Sequence, residues 1–307
     1  MNFAFIFAGQ GSQNVGMGRE FYEHSLKARE FLEQASDFCE INFKRLLFTE
    51  NDDLDKSEFT QPAIVLNSLM TYFALLEKEP KLKAKLSLGH SLGEFSALAV
   101  SGAFDFLRVL DLVRKRGIYM QADCVKIQAG MMVVLGLEDA AVEQICKEAQ
   151  SEGKSVYAAN YNCDGQLVVA GLRSDLRALE GSFKNAGAKR VMLLNMSVAS
   201  HCPLLQNASN ELAHELENLL KAHFSPVISN VNAKPYTDKT QALALLKSQL
   251  VSPVLYKQSI KSVEDAVDAF VEFGSAVLKG LNKKISPKKT HALTTLNEMD
   301  EFLKLVK

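Results

Sequence analysis

Apolar and polar positions follow two rhythms along this chain, and each change of rhythm marks an element. Residues 3–8 are an unbroken apolar run that stops at glycines, the pattern of a strand buried on both faces. A helical stretch follows over about 18–40. Thr60-Gln61-Pro62 reads as a helix start, because proline's missing N–H costs nothing in a first turn. The segment 63–76 is apolar on most faces, so it is expected to be a helix inside the core. A short strand at 85–88 leads to helices at 94–100 and 104–123. No apolar run is read as long enough for a membrane span.

Residues 125–195 have their own order: strand 130–135, helix 138–151, strands 155–160 and 166–170, helix 174–186 and strand 189–194. This β-α-β-β-α-β order is the ferredoxin-like arrangement, in which two helices cover one face of a sheet. Beyond it, Leu205, Leu212, Leu216, Leu219 and Leu220 form the apolar stripe of a helix. A helix at about 240–250, a strand at 266–273 and a last core helix after Gly274-Ser275 complete the pattern. Strands alternating with helices predict an α/β fold with a mostly parallel sheet covered on both faces. The expected organisation is a large α/β domain from 1–124 and 196–307, with a smaller ferredoxin-like α+β subdomain inserted at 125–195.

Composition narrows the function classes. With 307 residues, 47% hydrophobic and 23% charged, the chain has material for a full core. A net charge of −1 offers no dominant basic field for nucleic acid. The five cysteines are scattered without a Cys-x-x-Cys pair, so free thiols in a reducing cytoplasm are expected rather than disulfides or a zinc site. The apolar start has no basic residues before it, so no signal peptide is expected.

The chemistry concentrates at Gly89-His90-Ser91-Leu92-Gly93-Glu94, which fits the Gly-x-Ser-x-Gly nucleophile elbow between a strand and a helix. A serine hydroxyl needs a base. Of six histidines, His90 is bonded next to Ser91 and badly placed, and His24, His214, His223 and His291 lie in polar surroundings or at a helix end. His201 remains, in a loop after the subdomain's last strand. No acidic residue stands out as a third member, so a backbone or amide carbonyl is the alternative partner for the imidazole. One oxyanion donor in an elbow is the N–H after the nucleophile, here Leu92, and Gln10 in the Gly9-to-Gln13 loop is the candidate for the other. Arg116 shares the apolar stripe of its helix with Val109, Val113 and Met120. An inward guanidinium needs an anion, either an internal Asp or Glu or a substrate carboxylate.

Together these residues resemble the malonyl-CoA:acyl-carrier-protein transacylase family of type II fatty-acid synthesis. The resemblance runs nearly end to end through Gly9-Gln10-Gly11-Ser12-Gln13, Thr60-Gln61-Pro62-Ala63, the elbow, Arg116-Gly117, Met120-Gln121, the strand end at Asn160 and Asn162, Ser200-His201-Cys202, and Gln249-Leu250 before Pro253. Ala8, Ala199 and Gly274-Ser275-Ala276 depart from the family's usual prolines. The resemblance implies a hydrolase-like core and transfer of malonyl from malonyl-CoA to holo-acyl carrier protein through acylated Ser91. His201 would be the base, oriented by the main-chain carbonyl of Gln249. Gln10 and Leu92 would form the oxyanion hole, and Arg116 would hold the malonyl carboxylate. Asn162 and Met120 would contact substrate. No cofactor or metal, no nucleic acid, no membrane, a monomer and a cytoplasmic location are expected. Lys184, Lys189 and Arg190 are either carrier contacts or a solvated basic face. A serine esterase or thioesterase is the nearest rival, and a non-catalytic carrier-binding module the second.

Overall fold

The computed structural model describes residues 1–194 and 198–306. The expected boundary at 195/196 and Ser197 in the loop before His201 lie outside the described residues. In chain order the elements are β1 (Phe3–Phe7), α1 (Arg19–His24), α2 (Leu26–Cys39), α3 (Phe43–Phe48), α4 (Ser57–Lys78), β2 (Leu86–Gly89), α5 (Gly93–Val100) and α6 (Phe106–Val125). Then come β3 (Ala129–Leu135), α7 (Asp139–Ser151), β4 (Val156–Cys163), β5 (Gln166–Leu172), α8 (Arg173–Asn185) and β6 (Arg190–Leu193). The chain continues through α9 (Gln206–Leu219), β7 (His223–Ile228), β8 (Pro235–Asp238), α10 (Lys239–Gln249) and α11 (Tyr256–Val263). It ends with β9 (Ala269–Phe273), α12 (Val277–Asn282), β10 (Lys289–Leu293) and α13 (Leu296–Val306).

Six strands form one sheet in the order β10-β9-β1-β2-β7-β8. All neighbours pair in parallel except β8, which runs antiparallel on β7. Every residue of β1 is buried because the two faces it alternates between are both covered. Phe3, Phe5 and Phe7 point into the core under α4 and α6, where Phe5 and Phe7 pack on Phe273 at 4.8 and 5.2 Å between ring centroids. Ala4 and Ile6 point the other way, against Leu88, Tyr256, Ile260 and Phe270.

The second sheet, β4-β5-β3-β6, is antiparallel throughout. Met132 and Val134 pack under α7 and α8 with Val142, Cys146, Leu176 and Phe183. Met131, Val133 and Val168 face the first body. Main-chain bonds fasten the two parts: Tyr161 N–H to Val254 O at 3.0 Å and Val254 N–H to Ala159 O at 2.8 Å. Lys257 on α11 adds ion pairs to Asp139 at 2.6 Å and Asp164 at 3.0 Å.

Several sequence readings shift. The stretch 18–40 is two helices, because Ser25 leaves helical geometry and caps α2 by accepting from Ala28 N–H at 3.2 Å. α4 starts at Ser57, so Pro62 is inside the helix and not in its first turn; its missing N–H leaves one intrahelical bond unmade. α4 is also long and apolar enough to span a membrane, contrary to the reading of the apolar runs, but 78% of that window is buried inside the protein. β7, β8 and β10 were not anticipated: His223 opens β7 instead of closing a helix, and His291 lies in β10.

Candidate active site

The elbow turns where β2 hands over to α5. Gly89 and Gly93 lie so close to neighbouring backbone that a Cβ on either would collide, at Gly89 with Gly93 and at Gly93 with the Phe7 carbonyl. Ser91 itself has φ +52°, a left-handed conformation unusual for a residue with a side chain. Asn230 holds it there. Its Oδ1 accepts from Ser91 N–H at 2.6 Å and its Nδ2 donates to Gly89 O at 2.7 Å.

Ser91 Oγ lies 2.7 Å from His201 Nε2, and His201 Nδ1 lies 2.8 Å from the Gln249 main-chain oxygen. A carbonyl only accepts, so Nδ1 carries the proton and Nε2 is left as the acceptor facing the serine. His201 is also left-handed, with φ +63°, and is 1% exposed. Burial, then the charge of Arg116, pushes its pKa down to about 3, so the resting ring is neutral.

Arg116 projects from α6 and is 1% exposed. Its Nη2 donates to Ser91 Oγ at 3.1 Å and to Gln249 Oε1 at 3.3 Å, and its Nη1 to Gln61 Oε1 at 2.8 Å. Nε is buried without a hydrogen-bond partner. Among the described residues no carboxylate pairs with it directly, so the internal ion pair left open by the sequence is absent. Glu94 is the charge acting on it, and burial brings the guanidinium pKa down to about 9.

A cavity of about 270 Å³ opens between this cluster and the antiparallel sheet, lined on one side by Gln10, Ser91, Arg116, Met120 and His201. Met131, Val133 and Val168 form the opposite wall, with Leu278 and Leu281 of α12 at its rim. Among the described residues the main-chain N–H groups of Gln10 and Leu92 donate to no protein acceptor. Met120 Sδ accepts from Gln61 Nε2 at 3.4 Å. Asn162 lines the cavity with its Oδ1 on His90 Nε2 at 2.8 Å, joining β4 to the elbow. Lys184 pairs with Glu180 on exposed α8, away from the cavity lining. Among the described residues no cluster of His, Cys, Asp and Glu has the arrangement to hold a metal.

Gln61 and Glu94 enter the sequence analysis only as members of motifs, without a role, and Asn230 and Tyr236 not at all. Glu94 did carry a signal, since it lies in the first turn of the helix that follows the elbow, three positions after Ser91. Asn230 and Tyr236 had none, because their contacts with the elbow span 139 and 142 residues of chain.

An acyl transferase domain model matches residues 4–292. The malonyl CoA-acyl carrier protein transacylase of Haemophilus influenzae is 36% identical over 309 residues, covering 98% of this chain and 99% of that protein. That of Bacillus subtilis is 36% identical over 289 residues, covering 92% and 90%. The crystal structure of malonyl-CoA:acyl carrier protein transacylase from Helicobacter pylori superposes with a TM-score of 0.95 at 44% identity, over 100% of this chain and 98% of that one. A malonyl-transacylase solved in complex with its holo type II PKS acyl-carrier protein superposes at 0.95 and 31% identity, over 99% and 100%. The similarity extends over both sheets and the cavity between them, and the chain belongs to the malonyl-CoA:acyl-carrier-protein transacylase family of acyltransferases.

Proposed function

We propose that this protein moves malonyl from malonyl-CoA to the pantetheine thiol of holo-acyl carrier protein by way of an ester on Ser91. The observation that carries the reading is the pairing of an activated serine with a buried arginine that lacks a direct acidic partner. A carboxylate on the Arg116 guanidinium would sit one short acyl chain from Ser91 Oγ, and the fork of an arginine suits it.

In the acylation half, His201 Nε2 takes the Ser91 proton as Oγ attacks the thioester carbon. The oxygen that becomes negative is met by the N–H groups of Gln10 and Leu92, the latter at the N-terminus of α5. Collapse of the tetrahedral species breaks the C–S bond, and His201 returns the proton to the departing CoA sulfur. The carrier's thiol then gives its proton to His201, attacks the ester, and Ser91 leaves with the proton restored. Gln249's carbonyl supports the imidazolium that forms in each half. The apolar wall of Met131, Val133 and Val168 keeps water from competing with the thiol. This chemistry uses no cofactor.

The same reading divides the chain into a catalytic domain of 1–124 and 196–307 and an inserted subdomain of 125–195, acting as a monomer. Asn162 and Met120 line the acyl and pantetheine path. Five unpaired, buried cysteines fit a cytoplasmic enzyme. Incubation with malonyl-CoA, followed by intact mass of the protein, should show a malonyl adduct that Ser91→Ala lacks. Addition of holo-carrier should move the adduct to the carrier. An adduct on Ser91→Ala would sink the mechanism, and free malonate without a malonyl-carrier would make the protein a hydrolase.

A further inference from the structure

Glu94 takes no part in the steps above, yet it is a carboxylate buried to 1% exposure beside the nucleophile. Three donors converge on it. Tyr236 OH reaches Oε1 at 2.8 Å, while Gln249 Nε2 and Asn230 N–H reach Oε2 at 2.7 and 3.2 Å. Asn230 N–H and the Gln249 amide nitrogen can only donate, so Oε2 is an acceptor, while burial pushes the Glu94 carboxyl up to about 7.

These bonds settle the polarity of the Gln249 amide. Its nitrogen faces two acceptors, Glu94 and the Ser91 carbonyl at 3.1 Å, so its oxygen faces Arg116 Nη2. The reversed amide would aim N–H at a guanidinium and oxygen at a carboxylate, two repulsive contacts. We propose that Glu94 is a positioning residue for Arg116: acting through the Gln249 side chain, it presents an acceptor to the guanidinium and balances its charge without occupying it. A carboxylate bonded directly to Arg116 would compete with substrate, whereas a buried cation with no anion nearby would be costly. One amide placed between the charges meets both demands. The unpartnered Nε of Arg116 agrees with a guanidinium left short of acceptors.

This inference rests on Arg116 as the holder of the malonyl carboxylate, so the experiment starts there. The ratio of kcat/KM for malonyl-CoA to that for acetyl-CoA is measured on the purified full chain, alongside Ser91 labelling by a small neutral fluorophosphonate. Arg116→Ala should lower the ratio at least about tenfold, the scale of a lost charge-assisted hydrogen bond. An unchanged ratio overturns the role of Arg116 and the inference with it. Where Arg116→Ala does lower the ratio, Glu94→Met, which removes the acceptor that holds the Gln249 nitrogen, should lower it about tenfold, with labelling held within about threefold. A retained ratio, or labelling that falls as far as malonyl transfer, overturns the proposal while leaving Arg116 in place. Gln249→Met keeps the main-chain carbonyl and removes the relay together with the bond to the Ser91 carbonyl, so it must reproduce the loss even if Glu94→Met does not fold. The double variant should be no worse than Gln249→Met alone, and effects that multiply would show that Glu94 does not act through Gln249.

Discussion

In the parallel sheet, β1 is apolar along its whole length, and buried polar side chains gather where β1 and β2 end. Ser91, Glu94, Arg116, His201, Asn230 and Gln249 are linked there into one network by hydrogen bonds of 2.6 to 3.3 Å. In the antiparallel sheet, one face packs under two helices and the other gives the cavity an apolar wall with Asn162 at its edge. The mostly parallel sheet thus ends in a connected network of buried polar groups, while the antiparallel sheet gives the cavity in front of them an apolar wall. Burial makes such a network strong when every member is satisfied and costly when one is lost.

The sharpest way to break this contrast is at His201. His201→Ala should lower the rate of Ser91 acylation about 10²–10⁴-fold, measured by rapid-quench mass spectrometry. The same residue sets a pH dependence of stability. Its folded pKa is depressed to about 3, below the ordinary histidine value, so unfolding takes up a proton between those limits. The wild type should therefore lose stability as the pH falls below about 6.5, and His201→Ala should lose less over that window in urea unfolding. Parallel pH profiles for the two proteins would show that the ring is not held neutral.

A smaller effect belongs to Asn230, which bonds both sides of the elbow turn. Asn230→Ala should lower unfolding free energy by about 1–3 kcal/mol, with a slower acylation step, because Ser91 N–H and Gly89 O lose their buried partner. The smallest belongs to the second body. Asn162→Ala removes the bond to His90 and should raise KM for malonyl-CoA about 2–10-fold with kcat little changed. A kcat loss as large as that of His201→Ala would mean that the antiparallel sheet contributes to the chemistry and that the contrast is drawn in the wrong place.

Local pattern carried much of the fold. The apolar run of β1, the buried α4, the elbow between β2 and α5, and the β-α-β-β-α-β order all have signals within a few residues of themselves. Among the strands that were missed, β7 and β8 carry exposed and half-exposed positions that blur alternation, and β10 opens on an exposed lysine. Of the site, Ser91 and Leu92 are legible in the elbow and Arg116 in its helical stripe. His201 is legible only by elimination, and Gln249 through family resemblance alone.

The chain order alone carries the candidate chemistry: a serine on a sharp turn, a loop histidine and an arginine placed on an apolar stripe. These depend on spacing within one element, which the chain order contains. Only the tertiary structure decided who partners whom. Among the described residues Arg116 meets no carboxylate and instead reaches Gln249, whose amide nitrogen bonds Glu94, while Asn230 bonds the elbow from 139 residues away. Such pairings arise because buried donors and acceptors must be matched wherever packing brings them together, and packing is a property of the whole fold rather than of any segment.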